Sequence, residues 1–206
     1  MQLSLRLVTC LTVLVSPLIA QGGHTYPLCG GEHHYRWAQK VDTSLETVTP
    51  EPVTVTKILA TWSAPAIGHA QGDWCKARIA PEKHVYVLTG WVRFVKEESN
   101  DLVWHIELTA NRTSPMPSCI VVEIPSDDYG DQFAAVRDSF LQVSGRSAVT
   151  QTGDTVRPPV KIKVTGAAFY DGWHQKSGGG ASGHGHCNKS DHALWEIHPV
   201  YRVEHP

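Results

Sequence analysis

The chain has 206 residues and carries 18 Lys and Arg against 20 Asp and Glu, with 12 His and 5 Cys. Its slightly acidic balance, without a clustered basic surplus, makes a nucleic acid an unlikely class of partner. The length fits a single domain of ordinary size.

The N-terminus is typical of a secretory signal peptide, which we assign to residues 1–20. A short start with one positive charge, Arg6, precedes an uncharged apolar run, and small or polar residues follow Ala20. We predict cleavage after Ala20 and a secreted or periplasmic mature chain. An uncleaved membrane anchor is the alternative, but the apolar run is shorter than the roughly 20 residues of a membrane span. No later segment is long and apolar enough to span a membrane.

Four cysteines follow the signal peptide: Cys29, Cys75, Cys119 and Cys187. An even number in an exported chain favours two disulfides, and three pairings are open. Free buried thiols are the alternative. A zinc site made of all four cysteines is disfavoured, because no two of them lie two to four residues apart.

Residues 21–83 predict an irregular N-terminal arm and a connection. Within them, the segment 51–62 alternates in part, which indicates an edge strand. Arg36, Trp37 and Lys40 form a compact cationic and aromatic group. We interpret it as packing the arm on the domain through Trp37, with an exposed interaction site as the alternative.

A regular pattern begins at residue 84 and continues to residue 206. Apolar and β-branched runs, bounded by Gly, Pro or charged turns, predict five strands at 85–95, 103–109, 119–124, 160–170 and 193–203. A stripe of apolar residues at helical spacing predicts one helix, over 131–143, between the third and fourth strands. Residues 144–159 read as a polar loop. Gly90 and Gly166 are predicted bulges that let long strands bend.

Five strands with one helix between the third and the fourth follow the plan of an OB-fold barrel. We therefore predict a mainly β protein, with an OB-fold-like five-stranded barrel over 84–206 behind the irregular arm. Other five-stranded arrangements with one helix stay open.

Two distant strands carry the same signature. In 101–108, His105 and Glu107 alternate with apolar residues, and in 194–201 Glu196 and His198 do the same. Because strand side chains alternate between faces, each segment should bury an apolar row and present a His/Glu pair outward.

Several elements, taken in order, resemble a broad group of exported bacterial proteins. They are Arg36-Trp37 with Lys40 and Asp42, Trp104-His105-Ile106, Val121-Val122-Glu123-Ile124-Pro125, Val164-Thr165-Gly166 with Phe169-Tyr170-Asp171 and His174, and Glu196-Ile197-His198-Pro199-Val200. The last motif is the most specific. The resemblance covers nearly the whole mature chain and implies export, but it brings no established activity and no catalytic residue. This chain departs from the group in its longer, Gly- and His-rich loop between the last two strands.

In OB-folds, ligands lie near the loops that join the first two strands and the fourth and fifth strands. Here the first loop carries Glu97, Glu98 and Asp101, and the second carries Asp171, His174, His184, His186, Cys187, Asp191 and His192. The acidic loop would repel phosphates, so these loops favour a cation or a ligand rich in hydrogen-bond donors.

One candidate is a metal site in the second loop. His184, His186 and His192 offer three imidazoles within nine residues, and neutral imidazole is a common ligand for Zn or Cu. The alternative is a solvated polar loop, because ordering a glycine-rich loop around an ion costs entropy.

A second candidate is a cluster of strand residues. His105 with Glu107, and Glu196 with His198, would converge if their strands lie on one side of the barrel, and Asp171 and His174 follow the fourth strand. Such a cluster suits general acid/base catalysis or a divalent ion. The alternative is structural, because cross-strand His/Glu pairs also stabilise sheets.

The sequence thus predicts a secreted or periplasmic OB-like domain that binds a small ligand, a metal ion or a protein. One alternative is a metal-dependent hydrolase that uses the His/carboxylate cluster. The other is an envelope interaction module without an active site.

Overall fold

The computed structural model describes residues 34–176, 181, 184–187 and 190–206. The predicted signal peptide and Cys29 lie outside these residues, as does the arm before residue 34. Within these ranges, no helix has both the length and the apolar character needed to cross a membrane.

The protein is mainly β, as predicted. Its described strands are β1 (Glu51–Pro52), β2 (Val85–Glu97), β3 (Trp104–Thr109), β4 (Cys119–Ile124), β5 (Asp154–Tyr170) and β6 (Trp195–Glu204). Its described α-helices are α1 (Trp37–Lys40), α2 (Val55–Thr61) and α3 (Asp131–Ser144). Short 3-10 turns occupy, among others, Gly172–His174 and Asp191–Leu194.

Hydrogen bonds run in a ring through five strands. β2 pairs with β3 on one side and β5 on the other, β3 pairs with β4, and β6 lies between β4 and β5. The β4–β6 pair is parallel and the other four pairs of the ring are antiparallel. β1 lies outside the ring and extends it at β2 in parallel orientation. The ring matters for function because it makes β3, β4 and β6 consecutive neighbours.

One face of these strands forms the main apolar core. It contains Ile106 and Leu108 of β3, Val122 of β4 and Ile197 of β6, all fully buried. Helix α3 contributes residues of its apolar stripe, including Phe140. The apolar residues predicted from the strand period of 2 and from the helix period of 3.6 therefore pack into one core.

The predicted edge strand over 51–62 is only partly right, because it is reduced to β1 and most of the segment forms α2. Thr54 Oγ1 accepts a hydrogen bond from Lys57 N (3.0 Å) and caps this helix. Val55 and Ile58 lie three residues apart and both are buried. The cap and the helical spacing outweigh the partial alternation.

The predicted loop over 144–159 is wrong in its last part, because β5 begins at Asp154. In the ladder between β2 and β5, Val92 pairs with Val160 and Phe94 with Thr155, so the register shifts between them. Pro158 and Pro159 lie between these two pairs, where β5 has no regular hydrogen bonds to β2. The N–H group that proline lacks is therefore not needed there.

The predicted bulge at Gly166 is confirmed, because the pairing of β5 with β6 shifts on both sides of it. A Cβ at this position would overlap Pro199 O and lie 2.5 Å from Ile197 Cγ2. The close approach of β6 therefore requires glycine. The irregularity predicted at Gly90 lies instead between Val92 and Phe94.

The described part of the arm packs closely against the ring. Trp37 and Arg36 are fully buried. Arg36 Nη1 and Nη2 donate to the two carboxylate oxygens of Glu82 (2.7 and 2.5 Å), and the guanidinium lies 4.9 Å from the centre of the Phe169 ring. This packing brings Lys40, at the end of α1, close to the end of β5.

Candidate functional site

Three neighbouring strands present polar side chains on the face opposite the main core. They are His105 and Glu107 of β3, Glu123 of β4, and Glu196 and His198 of β6. The ladders place His105 opposite Glu123, and Val121 opposite both Glu107 and Glu196. The predicted alternation of faces is therefore right, but the expected exposure is wrong. Each of the five residues is at most 6% exposed, because loop residues cover this face.

Glu123 joins the two predicted His/Glu pairs into one network. His105 Nδ1 lies 3.1 Å from Glu123 Oε1, and His198 Nδ1 lies 2.9 Å from Glu123 Oε2. His105 Nε2 lies 3.4 Å from Glu107 Oε1, and His198 Nδ1 lies 3.2 Å from Glu196 Oε2. The five side chains thus form a continuous buried chain of imidazoles and carboxylates.

The turn formed by residues 184–187 covers this network. His184 Nδ1 lies 2.9 Å from Ala193 O, and its Nε2 lies 2.5 Å from Glu196 Oε1. His186 donates its backbone N–H to Glu107 Oε1 (2.8 Å), and its ring Nδ1 lies 3.0 Å from the same oxygen. The turn therefore closes over both ends of the network.

A disulfide and a glycine hold this turn in place. Cys187 is bonded to Cys119, the first residue of β4. Gly185 has φ +60°, and a Cβ there would overlap Glu107 Oε1 and lie 2.7 Å from His105 Nε2. Cys75 is also disulfide-bonded, and its predicted partners include Cys29, which is not described.

A second group of polar residues lies beside the first. Asp171 follows β5, and its Oδ2 lies 3.2 Å from Lys40 Nζ and 3.9 Å from His174 Nε2. Its Oδ1 accepts the backbone N–H of Trp173 (3.1 Å). The rings of His174 and His184 are 5.1 Å apart between centroids, which connects this group to the network.

The electrostatics of His105 follow from its two carboxylate partners. Burial alone would lower the pKa of His105, but its hydrogen bonds to Glu107 and Glu123 outweigh this and raise the pKa to about 10. Both ring nitrogens therefore donate, and His105 is an imidazolium at neutral pH. Burial opposes the charge of Glu123, but His198, His105 and Lys40 hold the pKa of Glu123 well below its ordinary value.

His184 and Glu196 share one proton. Ala193 O can only accept, so His184 Nδ1 carries the proton and His184 Nε2 is an acceptor toward Glu196. Burial and the charges of Glu123 and Asp171 raise the pKa of Glu196 to about 8. Glu196 is accordingly protonated at neutral pH and donates to His184. Burial lowers the pKa of His184, which keeps this imidazole neutral.

In the second group, Asp171 and His174 have the protonation states that metal ligands need: an ionised carboxylate and a neutral imidazole. Despite burial, the pKa of Asp171 is lowered to about 2, mainly by the positive charge of Lys40, so Asp171 is a carboxylate. Burial is the main cause of a lowered pKa at His174, which makes its neutral imidazole the dominant form at neutral pH. Burial disfavours the charge of Lys40, but Asp171 and other carboxylates outweigh it and raise its pKa.

A cleft of about 500 Å³ gives access to these residues. Its polar wall includes Lys40, His105, Glu123, Asp171, His174 and His184. Burial raises the pKa of Asp101, which also lines the cleft, to about 6. The cleft therefore exposes imidazole and carboxylate groups together.

Three groups of described residues have ligand atoms within 4.8 Å of one another, as a bound metal ion requires. They are Asp171, His174 and His184; Glu123, Glu196 and His198; and Glu107, Cys119 and Cys187. The first group lines the cleft. The third holds a disulfide, whose sulfurs are not thiolates.

The structure brings most of the predicted site residues together, but it separates the three loop histidines that were predicted to share one metal ion. The strand candidates His105, Glu107, Glu196 and His198 form the network, with Asp171 and His174 beside it. The three loop histidines take different partners: His184 joins Glu196, His186 joins Glu107, and His192 Nδ1 lies 2.5 Å from Trp62 O.

Sequence reasoning missed two members of the site. Glu123 is a single carboxylate in the apolar strand β4, and counting alternate residues from Cys119 would have placed it on the face of His105. Lys40 lies in the arm, and no local pattern connects it with Asp171.

The chain matches no protein-family model, no curated protein and no solved structure. The site must therefore be interpreted from its geometry and chemistry.

Proposed function

We propose that this chain is an exported OB-like domain that binds a divalent transition-metal ion, Zn(II) or Cu(II), through Asp171, His174 and His184. The observation that carries the proposal is that their three ligand atoms lie within 4.8 Å of one another at the wall of the cleft. Ligand bonds to zinc are about 2.0–2.2 Å long, so side-chain movements of about an ångström bring the three atoms onto one ion.

The surroundings of the three residues support this proposal. His184 Nδ1 is held by Ala193 O, and a metal-binding histidine usually has its second nitrogen oriented by such an acceptor. The ligand atom is therefore His184 Nε2, where the ion would replace the proton that Glu196 donates. Asp171 is ionised, and the lowered pKa values of His174 and His184 favour the neutral imidazoles that metals bind. Two imidazoles and a carboxylate suit borderline metals better than Ca²⁺ or Mg²⁺.

The order of the strands supports the OB-like assignment. Numbered within the ring, the five strands run 1-2-3-5-4 and close back onto the first, and α3 connects the third to the fourth. Helix and strand order match the arrangement expected from the sequence. An experimental structure with an open sheet would contradict this assignment.

Metal-dependent hydrolysis is a second candidate. An ion held by three protein ligands leaves a coordination position open toward the cleft, which is the arrangement of catalytic zinc sites. The interaction module lacks comparable support. Among the described residues, the large hydrophobic side chain that is exposed is Val48, and one such side chain does not make the apolar patch that a partner would cover.

The metal site is tested by calorimetric titration of Zn(II) and Cu(II) into protein treated with EDTA. We expect one equivalent to bind to the wild type, and His174→Ala to weaken this binding by about 10–100-fold or more. His174 is the most exposed of the three ligands, so this change should least affect folding. His84→Ala is the matched control, since His84 is an exposed histidine paired with Glu51 outside the cleft.

Equal affinity of the wild type and His174→Ala would refute the metal site. Hydrolysis is tested with p-nitrophenyl acetate and bis(p-nitrophenyl) phosphate, for which only the zinc-loaded wild type should show turnover. Export is tested by mass spectrometry of the protein secreted by a bacterial host, which should begin at Gln21.

A further inference from the structure

We propose that reduction of the Cys119–Cys187 disulfide creates a second metal site, of different chemistry, from Cys119, Cys187, Glu107 and His186. It would take a thiophilic ion, Zn(II) or Cu(I). The site shares no ligand with the one formed by Asp171, His174 and His184, and it stands independently of that proposal.

The geometry already brings three of the four ligands together, and the fourth, His186, contacts one of them. The two sulfur atoms and a carboxylate oxygen of Glu107 lie within 4.8 Å of one another. Both oxygens of Glu107 lie close to His186 Nδ1, at 3.0 and 3.1 Å. Two thiolates, one carboxylate and one imidazole make a four-ligand set of the kind that binds zinc.

The surroundings of Glu107 hold its carboxylate in a fixed position. Its side chain is fully buried, and burial opposes its charge, but hydrogen bonds from His105 and His186 lower its pKa. His105 Nε2 also contacts this carboxylate and lies 3.4 Å from Oε1, the same oxygen that accepts the backbone N–H of His186. These contacts hold the carboxylate of Glu107 beside the two sulfurs.

The redox step balances with a dithiol as reductant. A dithiol transfers two electrons and two protons to the disulfide, which breaks the S–S bond, yields two Cys thiols and leaves the reductant as its cyclic disulfide. Metal binding then releases both thiol protons. Both cysteines are buried, whereas Gly185 and His186 in the same turn are exposed, so the turn is the side from which a reductant would approach the disulfide.

Cobalt(II) is a suitable probe because it binds zinc sites and because thiolate ligands give it an intense near-ultraviolet charge-transfer band. The protein is first reduced with dithiothreitol. The dithiothreitol is then removed in the absence of oxygen, and the number of free thiols is measured. We expect the reduced wild type to bind one cobalt equivalent more than the oxidised protein and to gain the band. The double variant Cys119→Ser with Cys187→Ser should show neither change, although reduction still releases the thiol of Cys75.

Two further measurements distinguish the possible outcomes. His186→Ala keeps the disulfide, and it should lower the affinity of the reduced protein for cobalt by about tenfold or more. His174→Ala should remove the one cobalt equivalent of the oxidised protein and one of the two equivalents of the reduced protein, and the thiolate band should stay. This result separates failure of the disulfide site from failure of the site at Asp171, His174 and His184. No thiolate band in reduced wild type, or an equal band in the double variant, would overturn the inference.

Discussion

Glu196→Gln tests the proton that Glu196 and His184 are inferred to share. Glu196 is fully buried, with Oε1 2.5 Å from His184 Nε2 and Oε2 3.2 Å from His198 Nδ1. Burial, followed by the charges of Glu123 and Asp171, raises its pKa to about 8. A glutamine amide has the same shape as the protonated carboxyl, and its NH₂ group can donate to His184.

The magnitude follows from the difference between the folded and unfolded pKa values. Because the folded pKa of about 8 lies above the ordinary value of 4.5, the protonated carboxyl stabilises the folded protein fully below pH 4.5. This contribution is lost as the pH rises through 8. Between pH 6 and pH 8 the folded protein holds most of one extra proton, so this group lowers the free energy of unfolding by roughly 2 kcal/mol.

The comparison between two proteins isolates this contribution. His105 has a folded pKa of about 10, so its stabilising contribution is lost between about pH 6.5 and pH 10 in both proteins. Glu123 and Asp171 have lowered pKa values, so their contributions are present above the unfolded pKa and are lost only in acid. The difference between the Glu196→Gln variant and the wild type therefore reports on Glu196.

Urea unfolding at a series of pH values, in EDTA, measures this difference. We expect the stability of Glu196→Gln relative to wild type to rise by about 2 kcal/mol between pH 6 and pH 8. Glu204→Gln is the matched control, because Glu204 is exposed on the same strand and should leave the pH dependence unchanged. A difference that stays constant over this pH range would refute the protonated state of Glu196.

Two further changes test the packing around the site. Glu82→Gln should lower the free energy of unfolding, measured in urea, by about 3–5 kcal/mol, because it leaves the buried charge of Arg36 without its partner. A loss below about 1 kcal/mol would contradict a stabilising role of this ion pair. Gly185→Ala should lower it by about 1–2 kcal/mol, because φ is positive there and a Cβ would overlap Glu107. Gly72→Ala, with no atom within 4 Å of a Cβ, is its control in thermal unfolding, and equal effects of both alanines would show that the turn adapts freely.

The sequence predicted the five long strands and the helix between the third and the fourth, because these patterns are local. Apolar alternation marked β3 and β6, the helical stripe marked α3, and glycine marked the bulge at Gly166. Local patterns failed where two signals competed. Partial alternation hid the capped helix α2, and two prolines hid the start of β5, which tolerates them in a register shift.

Two properties of the site depended on contacts that no local pattern contains. The alternating His and Glu residues were identifiable as one face of β3 and one face of β6, because a strand's side chains follow a period of two whatever surrounds it. Burial of that face came from the 184–187 turn, which lies far from β3 along the chain. Burial and neighbouring charges then set the protonation states, since desolvation and pairing act through space and not along the sequence.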